Sequence, residues 1–526
     1  MPELATPVTA ILKEAVRTHK WPDTYKLEYH IPIKKIPNPA SEDDVRGIGL
    51  TGWVSKQLEK LILNWIWPYV RPHLDPDQMG ATPGCSIEHY IIKMLDFIIG
   101  SMDGDPNVAV LAIPVDYSKA YNRMLHSNII TILSELKNLE IPTCAIRMIK
   151  SYLTKRSMCV RYKGAQSNFE KSPGGGPQGG LLTGLLFCLQ VNKAGSPCPL
   201  SASATVAETA APGSSSTGPT GADTAAPGSP STGPTSATVA ETAAPGSPST
   251  GPTLNQVIEV PEIRRPEEAV PQCHNREKTH KKSYIDDLTL LESISLSNLE
   301  PEESFIGPSP YHGRFELTMP PNKMILQHQL DDLVEYTRKN HMVLNSKKTK
   351  CFPFNNSRTR DFIPKLSIDG ENYLEVIYSL KLVGIVINSQ LTWDDHIDYT
   401  VKRVNSVLWQ LTRFKQCGAD RNKLITFYIL KIRSILMFGA VCFHSSLTQE
   451  DSRRLELQQK RSLACILGIE YKNYTNALSR CSLQRLDILR EKACLKWCIK
   501  AHADPQHSHL YPANQSTVNT SVILII

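Results

Sequence analysis

Three aspartates stand out by their surroundings. Asp116 closes VAVLAIPVD, a nearly continuous apolar run rich in Val and Ile that is bounded by Pro106-Asn107, which reads as a buried strand. Asp286 and Asp287 lie in KSYIDDLTLLE, where apolar flanks on both sides predict strand, tight turn, strand. Hard divalent cations take oxygen ligands, carboxylates above all. A pair of such ions about 3.5–4 Å apart can activate an attacking oxygen and hold a transferring phosphoryl group. Neighbouring strand ends, one giving a single Asp and the other an Asp-Asp turn, are the simplest scaffold for that pair. Asp43-Asp44, Asp331-Asp332 and Asp394-Asp395 lack the flanking strands and read as loop, helix or cap positions.

Between Asp116 and the Asp-Asp pair runs SPGGGPQGGLLTGLLF, a glycine-rich loop before an apolar helix. Glycine lets backbone approach a ligand closely, and a loop entering a helix start suits a phosphate or a base; a flexible loop before a core helix fits the same residues. Helical spacing predicts amphipathic helices over VSKQLEKLILNWIWPYVRPHL, IEHYIIKMLDFIIGSM, SNIITILSELKNLEI and CAIRMIKSYLTKR, with SMCVRYKG a strand entering a hairpin. After the Asp-Asp pair, QHQLDDLVEYTRKNHMVLN predicts a helix ending near Asn345, then short strands over KLSIDG, YLEVI and LKLVGIVIN. From about His396 onward the pattern is almost wholly helical. Mixed α and β first, with a helical appendage last, is the expected plan.

The composition changes sharply over residues 194–253, where one Ala-, Pro-, Gly-, Ser- and Thr-rich unit is repeated in tandem. So few large apolar side chains cannot offset the entropy of ordering, so this segment is expected to be disordered, and the charged stretch up to about His280 flexible. The chain has 526 residues, and 58 Lys and Arg against 51 Asp and Glu leave a net charge of +7, which permits a nucleic-acid partner without arguing for one. The start of the chain has no secretory pattern and no apolar stretch reaches the roughly 20 residues a bilayer needs, so the expectation is an intracellular protein of nucleus or cytoplasm, not secreted and not in a membrane. The 13 scattered cysteines are then free thiols. Cys494, Cys498 and His502 recur every four residues, which is a packed helix face more readily than a zinc site.

In order, DYSKAYN, GGGPQGGLLTGLLF, YIDD, LNSKKTK and LKLVGIVIN resemble the motif series of reverse transcriptases, specifically the jockey-like non-LTR retrotransposon polymerases. Upstream, IPIKKIPNPASEDDVRGIGL resembles the family's fingers segment and DQMGATPGCSIEHY the motif after it. No endonuclease or ribonuclease H pattern is visible. The resemblance implies an α+β right-hand polymerase fold: fingers and N-terminal segment over 1–100, palm in two parts over 101–193 and 281–390 (the second including the primer-grip hairpin), a low-complexity insertion over 194–280, a helical thumb with C-terminal helices over 391–505, and a disordered tail over 506–526.

It also implies two Mg2+ or Mn2+ ions held by Asp116, Asp286 and Asp287, with the backbone carbonyl of Tyr117 completing one shell. Tyr121 would be the steric gate against a ribose 2′-hydroxyl. Gln178 and Gly179 would contact the incoming nucleotide and template; Lys34 or Lys35 with Arg46 would hold the triphosphate; Lys348 matches a lysine proposed to protonate the leaving pyrophosphate. Leu382, Val383 and Gly384 match the primer grip. RNA template, DNA primer and dNTPs would be the partners. A catalytically inactive, polymerase-shaped nucleic-acid-binding protein is the alternative. The sequence departs from the pattern at Gly47 (family Pro), Asn122 (family Asp) and Ile285 (family Ala), and most of all in the repeats that separate Gln178 from Asp286.

Overall fold

The computed structural model describes residues 2–41, 44–103, 105, 107–118, 120–135, 141–172, 174–177, 179–192, 279–284, 287–296, 307–308, 315–317, 324–355, 360–362, 364–368, 370 and 373–504. The tandem repeats, the tail 506–526, Gln178 and Asp286 lie outside the described residues.

The chain opens with α1 (Pro2–Thr18), a helix the sequence reading did not anticipate because Pro7 stands inside it and forgoes one ladder bond. Strands β1 (Leu27–Lys34) and β2 (Val45–Leu50) form an antiparallel pair, followed by α2 (Trp53–Val70) and α3 (Ile87–Met102). Then come β3 (Val108–Asp116), α4 (His126–Glu135), α5 (Thr143–Leu153), β4 (Ser157–Tyr162), β5 (Ala165–Gln166), β6 (Glu170–Lys171) and α6 (Leu181–Val191). The chain resumes at β7 (Thr279–Tyr284), so Thr279 and His280 belong to a strand rather than to the expected flexible stretch. β8 (Asp287–Ser295), β9 (Gly307–Pro308), β10 (Phe315–Leu317), α7 (Ile325–Lys339), β11 (Phe352–Asn355), β12 (Arg360–Phe362), β13 (Ser379–Leu382) and β14 (Ile385–Asn388) complete the mixed part.

The rest is helical: α8 (Asp394–Gln416), α9 (Arg421–Phe427), a π-helical turn (Tyr428–Arg433), α10 (Ser434–Leu436), α11 (Ala440–Phe443), α12 (Gln449–Leu467), α13 (Tyr474–Arg480) and α14 (Leu486–His502). Among the described residues no single helix is long and apolar enough to cross a membrane. The cysteines of the described residues are free thiols, and Cys494 is buried on the inner side of α14.

The central sheet runs β11-β3-β8-β7, all antiparallel. Its middle strand is apolar on both faces because two cores meet there. Ala109, Leu111, Ile113 and Val115 belong to the core built with α2, α5 and α6, while Val110 and Ala112 belong to the core that α3, β11 and the C-terminal helices complete. Alternation along a strand is what divides them. Tyr90 of α3 reaches that second face, with its hydroxyl 2.7 Å from Thr289 Oγ1.

The expected linear division is cut differently in space. Residues 157–171 do not join the β3 sheet; β4 pairs in parallel with β1, and β5 and β6 pair with β4. α3 runs through position 100 and packs on β3 and β7, since its apolar residues span nearly its whole circumference. KLSIDG and YLEVI contribute only the isolated bridges Ser367↔Tyr373 and Cys351↔Val376, too few consecutive bonds for a strand. LKLVGIVIN does form the β13–β14 hairpin. Its turn holds Val383 at φ 43, a left-handed conformation that a β-branched side chain resists, and brings Gly384 so close to Phe438 of the helical part that a Cβ there would stand 3.0 Å from its ring.

Candidate active site

The register of the central sheet decides which acidic residues meet. β3 and β8 pair along their whole length, and the last pair is Asp116↔Asp287. β7 and β8 pair up to Tyr284↔Asp287. The backbones of Asp116 and Asp287, 171 positions apart in the chain, therefore stand directly across from each other at one sheet end.

The Asp116 side chain is 33% exposed. Its Oδ2 lies 3.1 Å from Lys348 Nζ and accepts from Asn345 Nδ2 at 3.2 Å. The partner segment arrives because α7 stops at Lys339, six residues before the predicted end. Asn340 caps it, His341 adopts φ 53, and the chain then runs extended: Ser118 N donates to Val343 O at 2.8 Å, Tyr117 bridges Leu344, and Asn345 N donates to Asp116 O at 2.8 Å. A turn closed by Lys348 N and Thr349 N on Asn345 O (3.0 and 2.9 Å) then presents Lys348, whose side chain is 65% exposed. Asn345 was missed as a site residue, although LNSKK carries it three positions before Lys348.

Tyr117 turns its ring into the core, edge-on to Phe187 at 6.0 Å, where burial pushes the phenol pKa well above its ordinary range. Only its backbone is left for the site. Tyr121, in the 3-10 turn Ala120–Arg123, lies half-buried against the other side of the Phe187 ring at 5.2 Å. The glycine-rich loop docks on this turn. Gly175 N donates to Met124 O and Gly176 N to Tyr121 O, both at 3.1 Å, and His126 Nε2 lies 2.6 Å from Gly175 O. Gly175 has φ 73, and a Cβ there would sit 2.5 Å from Tyr121 O, so no other residue fits without moving the turn.

The loop's far end is also fixed. Gly180 N donates to Pro177 O at 3.0 Å, and the Leu182 amide at the start of α6 donates to Glu59 Oε2 at 3.3 Å. Of the two readings of this segment, ligand contact and a loop before a core helix, the second describes the start of α6: its Leu182 amide is already taken by the buried carboxyl of Glu59 from α2. Gly179, φ 103, brings the loop against Gly49 O in β2.

β2 also carries Arg46, exposed and across from Ile33, whereas Lys34 is across from Val45. Opposed residues share a face and neighbours alternate, so Arg46 and Lys34 project to opposite faces. Lys35, whose amide donates to Asp44 O at 2.8 Å, continues the ladder on the Arg46 side. Lys34 Nζ reaches only Pro37 O, at 3.5 Å. The recorded contacts thus tie Asp116 to Lys348 and Asn345, and the β1–β2 hairpin to the glycine-rich loop.

Among the described residues no group of three acidic, His or Cys side chains is close enough to hold a metal ion; Asp286 is not among them. The donor chemistry at hand still suits a hard cation. Asp116 is a partly exposed carboxylate at a strand end, held only by an exposed lysine and an amide, both of which a divalent ion can displace.

The family model described as "Reverse transcriptase (RNA-dependent DNA polymerase)" matches residues 33–207, a span that includes Asp116, Tyr121 and Gln178 and stops before the Asp-Asp pair. The chain is 30% identical over 204 residues to the probable RNA-directed DNA polymerase from transposon BS of Drosophila melanogaster, covering 37% of this chain and 22% of that one. It is 29% identical over 189 residues to its counterpart from transposon X-element of the same organism, covering 35% and 20%. The chain thus spans about a fifth of the length of these relatives. Among solved structures, apo telomerase from Candida tropicalis aligns with a TM-score of 0.38 at 11% identity over 88% of this chain and 62% of the other, too loose to place any residue.

Proposed function

We propose that this chain, which matches the reverse transcriptase family over residues 33–207 and is similar to the probable RNA-directed DNA polymerases of two transposons, is a non-LTR retrotransposon RNA-directed DNA polymerase that extends a DNA primer on an RNA template with dNTPs. One observation carries the reading: the β3–β8 register sets Asp116 across from Asp287, and the Asn345–Lys348 turn is delivered to the same point.

In this reading β3, β7, β8 and β11 are the palm, β1 and β2 with β4–β6 belong to the fingers, and residues 394–504 are the thumb and following helices. Asp116 and Asp286 would hold the two Mg2+ or Mn2+ ions, with Asp287 the third carboxylate and the Tyr117 carbonyl a further oxygen. The metal pair, when bound, lowers the pKa of the primer 3′-hydroxyl and neutralises charge on the triphosphate. Lys348 balances the Asp116 charge in the free protein. Its long, exposed stem would let it reach the triphosphate and give its proton to the leaving pyrophosphate. Lys35 and Arg46, on one face of their hairpin, clamp the triphosphate; a planar guanidinium and a point charge suit phosphate oxygens. Tyr121, braced by Phe187, closes the space a 2′-hydroxyl would need. Gln178 and Gly179, on a loop docked to the Tyr121 turn, meet the base pair being formed.

The test is primer extension by the purified chain on an RNA template with Mg2+ or Mn2+, with Asp116→Asn as control. Extension by the parent and none by the variant is the expected result. A parent and variant equally inert on several template-primers would overturn the reading.

A further inference from the structure

Glu59 lies on α2, outside every motif of the domain, and is fully buried. A buried carboxylate needs hydrogen-bond donors, or it costs several kcal/mol as an order of magnitude. Its donor is an amide in the first turn of α6, Leu182 N at 3.3 Å to Oε2. That helix has no local cap, because Gly180 at its N-cap position offers no side chain. The carboxylate supplied from 123 positions away does the capping. The other carboxylate oxygen, Oε1, is buried without a hydrogen-bond partner.

The contact is tight on both sides. A Cβ at Gly180 would stand 2.7 Å from the Tyr152 hydroxyl, 2.8 Å from Thr183 Oγ1 and 2.9 Å from Glu59 Oε2. Tyr152 and Thr183 are bonded to each other at 3.0 Å. The turn from Pro177 to Gly180 is therefore seated on a buried polar floor of which Glu59 is the carboxyl member, its pKa pushed up by burial. Its opposite end, Gly175–Gly176, is seated on the Tyr121 turn.

We propose that Glu59 is the positioning residue of the turn that ends at Gly180: by holding the start of α6 it fixes where Gly179 stands relative to the Tyr121 turn. The proposal deepens the polymerase reading and rests on it for its kinetic consequence. Glu59 touches no nucleotide; it acts through the backbone of the loop.

Glu59→Ala and Glu59→Gln in the full chain separate positioning from mere packing. The alanine variant removes the acceptor and lets the loop drift, so its KM for dNTP rises about ten- to hundredfold while kcat changes less. The glutamine variant keeps an acceptor oxygen at the same place and restores KM to within about threefold of the parent. An unchanged KM in Glu59→Ala, assayed where it is folded, overturns the proposal, and so does equal impairment of the two variants. Should the parent itself fail to extend a primer, the polymerase reading falls, and amide hydrogen exchange decides the positioning claim by itself. Faster exchange of the Leu182 amide in Glu59→Ala, with α3 unchanged, supports it; unchanged exchange there overturns it.

Discussion

The end of the central sheet and the C-terminal helices treat the same chemical group in opposite ways. At the sheet end, Asp116 is one-third exposed and its side chain meets, among the described residues, an exposed lysine and an asparagine amide. In the helical part, Glu456 of α12 is buried, accepts the Leu486 amide on both oxygens at 3.3 and 3.1 Å, and also takes the Tyr474 hydroxyl. Both are ionisable carboxylates, and one region spends its backbone amides on the acid while the other withholds them. A carboxylate saturated by fixed donors is part of the framework. One left with exchangeable partners at a strand end is free to bind a cation. Glu292, buried on β8 and capping α7 through Ile325 N and Leu326 N at 3.2 and 2.9 Å, shows that both treatments occur within one sheet.

The contrast makes separable predictions. Asp116→Asn loses primer extension by about a thousandfold or more, roughly 4 kcal/mol of barrier, while its thermal midpoint stays within about 2 °C of the parent; a large drop in melting temperature would mean that the site aspartate is framework after all. Glu456→Ala does the reverse. It leaves the Leu486 amide and the Tyr474 hydroxyl without an acceptor and costs about 3 kcal/mol in denaturant unfolding, with extension per folded molecule unchanged.

The third prediction concerns His396 of α8, buried between Trp393 and Phe443, where it accepts from Val386 N of the β13–β14 hairpin at 3.3 Å. Burial, and then the Arg403 charge, depress its pKa from 6.5 to about 4. The unfolded chain takes up that proton first, so the stabilisation is complete above pH 6.5 and is lost as pH falls towards 4, by about 3 kcal/mol. His396→Gln should flatten this part of the stability–pH curve; equal slopes for parent and variant would remove His396 as its source. Smallest is Lys348→Met, expected to slow extension about tenfold, roughly 1.4 kcal/mol, without a measurable change in unfolding, because an exposed pair such as Lys348–Asp116 contributes about 0–1 kcal/mol.

Much of this was legible beforehand where the information is local. VAVLAIPVD announced a strand buried on both faces, and YIDDL the hairpin beside it, because apolar runs have few other ways to bury themselves. Helical spacing placed α2, α3, α5 and α8 within a few residues. The end of α7 was misjudged because MVLN has helical neighbours, but its backbone is claimed by the Asp116–Ser118 segment. The Arg46 partner was left open between Lys34 and Lys35, and only the register of β1 against β2 favours Lys35.

What the sequence by itself determined, then, is most of the strands and helices and which aspartates close an apolar strand, since periodicity and residue type act over a few positions. The tertiary structure alone decided which carboxylates stand partly exposed at a strand end and which cap helices. Glu59, Glu292 and Glu456 serve helices whose own N-cap residues (Gly180, Met324 and Arg485) make no side-chain cap. A buried charge is satisfied by whatever donor packing brings within about 3 Å, and no spacing along the chain encodes a donor that comes from 30 to 123 residues away.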